Sequence, residues 1–236
     1  MERVLGTSFA AISASKKATA RVALVDVKEP AKSILAECFR QFGIDAVAMA
    51  TNAPDRLSKE KFEACVVRLD PGAQPLMEAA RTSPSNSRMV IYGLGGSAQD
   101  AMRFSKYGVN AVFTEPLERS TALKMVRATH TLVLHEFRRY VRIPVITEVA
   151  VVAEGKRFTA TSHEFSSGGM SLKSAEEVTI GQGLEISFAL LTLPRIWVRG
   201  TVSWLKPNSH SFGVRFDAQD ERRLRVKEWI DAYLES

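Results

Sequence analysis

Apolar residues gather in short dense runs through the first half of the chain, and helix-spaced segments separate the runs. Residues 21–26, Arg-Val-Ala-Leu-Val-Asp, form one such run and end in an acid. Residues 31–42 follow with Ile34, Leu35, Cys38 and Phe39 at helical spacing, and Gly43 stands where a helix end favours glycine. Further runs at 45–50, 62–69, 88–92 and 110–114 predict four more strands, with helical segments between them. Strands this apolar, alternating with helices, predict an α/β doubly wound parallel sheet covered on both faces.

Residues 118–137 contain neither Gly nor Pro, and Leu123, Val126, His130, Val133 and Phe137 repeat at alternating spacings of 3 and 4. Such a seam fits either the last helix of the sheet domain, packed on its own sheet, or an extension that pairs two chains. Beyond it the period changes to two. Segments 144–153, 157–163, 170–173, 184–191, 196–205 and 211–216 predict strands, with turns at 154–156 and 206–210. Short strands at this spacing predict an all-β small barrel, and Trp204 is expected in its core. Residues 218–234 predict an amphipathic helix that covers an open end of the barrel through Leu224, Trp229, Ile230 and Tyr233.

The 236 residues suffice for two domains. Hydrophobic content of 45% and charged content of 25% are ordinary for globular chains and argue against general disorder. A formal charge of +6 favours anionic partners: nucleotides, nucleic acid or a membrane surface. Cys38 and Cys65 read as small core residues in a reduced compartment, so a cytoplasmic location is expected. His130, His135, His163 and His210 show no metal-ligand spacing, and no metal is expected. Residues 1–20 are rich in small residues, with Lys16-Lys17 after the apolar part; this order fits a flexible extension better than a secretory signal. No run reaches the roughly 18–20 apolar residues of a spanning helix.

The candidate chemistry lies in two places. Arg138-Arg139-Tyr140-Val141-Arg142 concentrates three guanidiniums just before a predicted strand. Each can fork onto phosphate oxygens and also stack on a base. Some twenty-five residues later, Glu164-Phe165-Ser166-Ser167-Gly168-Gly169 supplies a carboxylate, hydroxyls and two glycines, which permit close backbone approach or positive φ. Either stretch alone also fits a solvated helix end or an ordinary hairpin turn.

Together these residues resemble the PilZ family, whose signature is R-x-x-x-R, a strand pair, then [D/N]-x-S-x-x-G. Arg138 and Arg142 match the arginines, and Ser166 and Gly169 match the serine and last glycine; Glu164 departs from the family's Asp or Asn. The resemblance runs over about 138–216, including Gly213-Val214-Arg215-Phe216. It implies a receptor for cyclic di-GMP, with Arg138, Arg139, Arg142, Glu164, Ser166, Gly168 and Gly169 as ligand-binding residues, no catalytic residues and no cofactor beyond that ligand.

The first half resembles, loosely, the response-regulator receiver domain over 20–129. Its working residues are altered. Asp26 matches one acid after the first strand, but Val27 replaces its neighbour; Arg68 stands at the phosphate-accepting Asp, with Asp70 two residues later as the acid that a slip in register would bring there, Gly93 at the Thr or Ser, and Glu115 at the Lys. Phosphoryl transfer needs a carboxylate nucleophile, a metal held by acids and a neutralising cation. The expected reading is a receiver fold without that chemistry, with Glu115 able to pair with Arg68. Gly93-Leu94-Gly95-Gly96 lacks the Lys-Ser/Thr ending of a phosphate loop.

The expected organisation is a flexible extension over 1–20, a receiver-like domain lacking phosphorylation residues over 21–129, a helical connector over 130–137 and a PilZ-like domain over 138–236. The expected function is a cyclic di-GMP effector or adaptor, not an enzyme, that passes ligand binding to a downstream protein. The alternative is a PilZ-like interaction adaptor that no longer binds the messenger. A homodimer would form through the receiver-like domain or the connector helix. Nucleic acid is not an expected partner, because neither interleaved surface aromatics nor a recognition-helix motif accompanies the charge.

Overall fold

The computed structural model describes residues 11–12 and 19–235. The chain divides into two compact units, one over Ala18–Phe137 and one over Arg138–Ser236 with Met1–Lys17. The expected flexible extension over 1–20 lies mostly outside the described residues. Within it, β1 (Ala11–Ile12) pairs with residues 145–146 of the second unit, and Ala20 already belongs to a strand of the first.

The first unit alternates strands and helices in the order β2 (Ala20–Val25), α1 (Ala31–Arg40), β3 (Ile44–Met49), α2 (Ala53–Lys59), β4 (Ala64–Arg68), α3 (Ala73–Thr82), β5 (Val90–Leu94), α4 (Ala98–Phe104), β6 (Val109–Phe113) and α5 (Arg119–Tyr140). The strands form a parallel sheet in the order β3-β2-β4-β5-β6. On one face Leu35, Cys38 and Phe39 of α1 pack with Val126 and Val133 of α5. On the other, Leu57, Met77 and Phe104 bring α2, α3 and α4 together. Burial pushes the Cys65 thiol up to about 12, consistent with an inert core residue.

The seam on α5 is occupied by its own domain. Val126 and Val133 are buried in the sheet cluster, Leu123 and Phe137 pack against it, and His130 stacks on Phe42 with ring centroids 4.8 Å apart. The heptad-like spacing is therefore explained by packing on the sheet. The helix runs without a break through the expected connector and ends at Tyr140, and the two residues Val141 and Arg142 link it to β7 (Ile143–Ile146).

The second unit contains β7 (Ile143–Ile146), β8 (Glu148–Ala153), β9 (Lys156–Ser166), β10 (Gly169–Lys173), β11 (Gly183–Leu190), β12 (Leu193–Lys206), β13 (Ser211–Phe216) and α6 (Arg223–Glu235). Pairing runs β9-β10-β13-β12-β11-β8 and returns from β8 to β9, which closes a six-stranded antiparallel barrel. The single strand expected over 144–153 is two. Thr147 divides it, because Ser162 reaches in: its Oγ accepts from Thr147 N at 3.0 Å and donates to Val145 O at 2.7 Å. The core alternates as a half-buried strand must, with Ile186 and Phe188 on β11 and Val149 and Val151 on β8 all buried.

Helix α6 starts later than the apolar pattern predicted. Its buried residues are Val226, Trp229 and Ile230; Leu224, expected to pack, is 42% exposed. Asp220 fixes its start. This carboxylate, only 4% exposed, accepts from Arg199 N at 2.8 Å, Arg222 N at 3.1 Å and Arg222 Nε and Nη2 at 2.8 Å each. The Arg222 guanidinium, helped by the Arg199 and Arg222 backbone N–H groups, holds the Asp220 carboxyl far below the usual carboxylate range. A depressed folded-state value means stability that is present at neutral pH and lost as pH falls below about 4, the unfolded value. Asp220→Asn is expected to cost about 1–3 kcal/mol at pH 7. The deficit should shrink in thermal melts toward pH 3, where the native carboxylate also loses its advantage.

Candidate ligand-binding site

The site is built on the closing turn between β9 and β10. Phe165 points into the barrel, where its ring lies 5.1 Å from that of Phe188, so alternation sends Glu164 and Ser166 to the other face. On one side, β7 pairs with β9 through Ile143↔Phe165 and Pro144↔Glu164, which brings Arg142 to the end of the strand beside Ser166. On the other, β10 pairs with β13 through Gly169↔Arg215.

The result is an open depression of ≈ 470 Å³. Arg139, Arg142, Glu164, Ser166, Gly168 and Gly169 all line it, so six of the seven expected ligand residues converge. Arg142 also closes the end of α5, donating from Nη1 to Tyr140 O and Val141 O at 3.1 Å each. Arg139 lies with its Cζ 5.7 Å from the Tyr140 ring centroid. The seventh, Arg138, does not line the depression: its Nη2 donates to Glu235 Oε1 at 3.1 Å and its Nε lies 3.3 Å from Asp231 Oδ1.

Ser166 and the glycines are mainly builders of the turn. Ser166 is buried, and its Oγ donates to Gly169 O at 3.1 Å. Neither Gly168 nor Gly169 has positive φ. Gly169 is needed for close approach, since a Cβ there would sit 2.1 Å from Val214 O on β13. Gly168 has nothing within 4 Å of a built Cβ, while its carbonyl accepts from Phe216 N at 2.9 Å.

Two side chains absent from the expected set complete the wall. Arg215 adds a third guanidinium to those of Arg139 and Arg142. Trp204, expected in the core, is 38% exposed and faces the depression. A bulge between Val202 and Trp204 is the reason: Val202 is buried, Ser203 takes the extra step, and Trp204 emerges outside instead of inside. The indole then lies across Gly213, where a Cβ would come within 2.0 Å of Trp204 Nε1. Lys206 Nζ stands 5.8 Å from the ring centroid. A Trp followed across the sheet by Gly is the signal that could have marked this platform; the bulge itself left none. The surface thus sets three guanidiniums and an indole face around one carboxylate, a composition suited to an anionic ligand with flat rings.

The first unit has its own edge where strand ends converge. Arg68 ends β4 and makes a two-pronged pair with Glu115, Nη1 to Oε2 at 2.6 Å and Nη2 to Oε1 at 2.8 Å. Hydrogen bonding to Glu115, with Asp70 and Asp26 nearby, raises the Arg68 guanidinium's pKa. Asp70 Oδ1 accepts from Gly72 N at 2.8 Å, in the loop beyond the strand. Among the described residues no group of three or more His, Cys, Asp or Glu side chains could hold a metal ion. Nor, among them, is any helix long and apolar enough to cross a membrane.

Comparison with known proteins matches each half separately. The family model described as PilZ domain matches residues 136–236. No curated protein sequence matches the chain. Among solved structures, the chemotaxis response regulator CheY4 of Vibrio cholerae is 18% identical, with 47% of this chain and 98% of that one covered and a TM-score of 0.41. A CheY-like response regulator receiver domain protein from Methanospirillum hungatei is 16% identical, covering 50% and 99%, at a TM-score of 0.41. The Bacillus subtilis inhibitor of motility (MotI/DgrA) is 16% identical, covering 42% and 52%, at a TM-score of 0.35. Residues 136–236 thus match the PilZ domain, and a parallel five-stranded α/β unit precedes them.

Proposed function

We propose that this chain is a cyclic di-GMP effector that binds the messenger in the PilZ depression and passes the event to a downstream protein. The observation that carries this reading is the convergence of Arg139, Arg142, Arg215, Glu164 and Trp204 on one surface. The guanidiniums supply forked contacts to phosphate oxygens. The Glu164 carboxylate can accept from the N–H edge of a guanine, and the exposed indole offers a face for the base. A volume of ≈ 470 Å³ lies inside the range of small-molecule sites, about 300–1,000 Å³. The protein acts as a cytoplasmic binding module and not as an enzyme. Its alternative role, an adaptor that no longer binds the messenger, is the outcome if the depression proves empty.

The receiver-type unit serves dimerisation or docking without phosphoryl chemistry. Arg68 cannot act as the nucleophile, and its pairing with Glu115 fills the strand ends with a fixed ion pair. Incubation with acetyl phosphate and Mg²⁺ should leave the intact mass unchanged; an added phosphoryl group that disappears in Asp70→Asn would overturn this.

Tryptophan fluorescence tests the binding site itself. Of the three tryptophans, Trp204 is the one that lines the depression. Cyclic di-GMP should change the emission saturably, and the Trp204→Phe variant should lose most of that change. Trp204→Ala should weaken affinity by about 1–2 kcal/mol, roughly five- to thirtyfold. Full affinity in Trp204→Ala would remove the indole from the site.

A further inference from the structure

Arg138 is a guanidinium of the paired-arginine motif, and its charge is already spent. It stands in the last turn of α5, and its two partners, Asp231 and Glu235, are one turn apart on α6. These acids occupy the flank of α6 away from the buried Val226, Trp229 and Ile230. The opposite flank is anchored separately, through Trp229 Nε1 donating to Leu191 O at 2.8 Å. The acidic pair is thus surplus to the helix's packing, while it pairs with an arginine next in the chain to Arg139, which lines the depression.

We propose that Asp231 and Glu235 form an electrostatic latch: they hold Arg138 away from the ligand in the free chain and compete with the ligand's phosphates for it. This rests on the cyclic di-GMP reading of the depression. A phosphate that recruits Arg138 would stand against two carboxylates if they stayed in place, so ligand occupancy and the closed latch oppose each other. The competition makes α6 the element that responds to the ligand. Coupling is reciprocal: whatever factor the latch costs in affinity, the ligand returns as loosening of α6. Arg138 is 39% exposed, Asp231 31% and Glu235 70%, so the pairs are partly screened and the factor is modest, about three- to tenfold.

The experiment titrates cyclic di-GMP into the full chain, the Asp231→Asn/Glu235→Gln variant, and the same pair of changes on an Arg138→Ala background, with amide hydrogen exchange of 223–235 alongside. Neutralising the acids should tighten binding about three- to tenfold when Arg138 is present and change nothing when it is absent. Ligand should speed exchange in α6 of the unmodified chain. A merely structural role for the acids would not tighten binding, nor would its effect depend on Arg138. If the unmodified chain binds and the neutralised variant binds equally or more weakly, the latch is wrong while the site stands. Binding by the neutralised variant alone supports both. If no form binds at high micromolar ligand, the messenger reading falls and the latch with it.

Discussion

Arg142→Ala should weaken cyclic di-GMP binding at least about tenfold, equivalent to roughly 1.4 kcal/mol, with the thermal midpoint nearly unchanged. Arg142 lies at the junction of α5 and β7, exposed, with its Nη1 on the Tyr140 and Val141 carbonyls and its side chain on the wall of the depression. Its loss leaves ligand charge unpaired and removes a fork that one other group cannot replace. Lys at this position should recover only part of the affinity, because an ammonium restores charge without the fork or the stacking plane. Arg138→Ala should lose less than Arg142→Ala, since it also abolishes the pairs with Asp231 and Glu235 that the ligand must break. Binding should weaken as salt rises, as expected for partly exposed guanidiniums. Val141, next in the chain, is 5% exposed and inward, so Val141→Asp belongs to the opposite class and acts through folding.

The adjacent glycines are expected to separate folding from binding as sharply. Gly169→Ala places a Cβ 2.1 Å from the carbonyl oxygen of Val214, a backbone atom within a paired strand. Either β10 or β13 must move, and the ladder between them is part of the barrel's closure. A cost of about 3 kcal/mol follows, enough to lower the midpoint of this unit by roughly 10 °C or more. Gly168→Ala meets nothing within 4 Å and requires no positive φ, so stability should change by no more than about 0.5 kcal/mol. Its methyl group instead narrows the depression and should weaken the ligand. Circular dichroism melts and calorimetry on the two variants distinguish these outcomes; a stable Gly169→Ala would mean that the turn tolerates a wider β10–β13 spacing than the one seen.

Much of this architecture is legible because hydrophobic period reports burial directly. The nearly all-apolar run at 64–68 is a strand covered on both faces, and the same run ends on Arg68, which the pairing with Glu115 explains. The alternation in β11 and β13 is likewise that of a half-buried barrel strand. What period cannot register is a local break in it. The bulge before Trp204 reverses the side on which an indole emerges, and so a side chain that lines the depression reads as core. The split at Thr147 depends on one buried hydroxyl from a strand fifteen residues away, Ser162. Spacing also cannot say where each arginine finds its partners. Arg138, Arg139 and Arg142 look equivalent in the chain, but Arg138 pairs with Asp231 and Glu235 on α6 and does not line the depression. Arg215 and Glu164 line one depression because β10 pairs with both β9 and β13, a consequence of topology and not of proximity in sequence.

The most direct test of the messenger reading is isothermal titration of the unmodified full chain with cyclic di-GMP at moderate salt, beside Arg142→Ala under the same conditions. Saturable binding in the micromolar range or tighter, weakened at least about tenfold in Arg142→Ala, is the predicted result. No heat from the unmodified chain at high micromolar ligand, or equal binding by both forms, would contradict it.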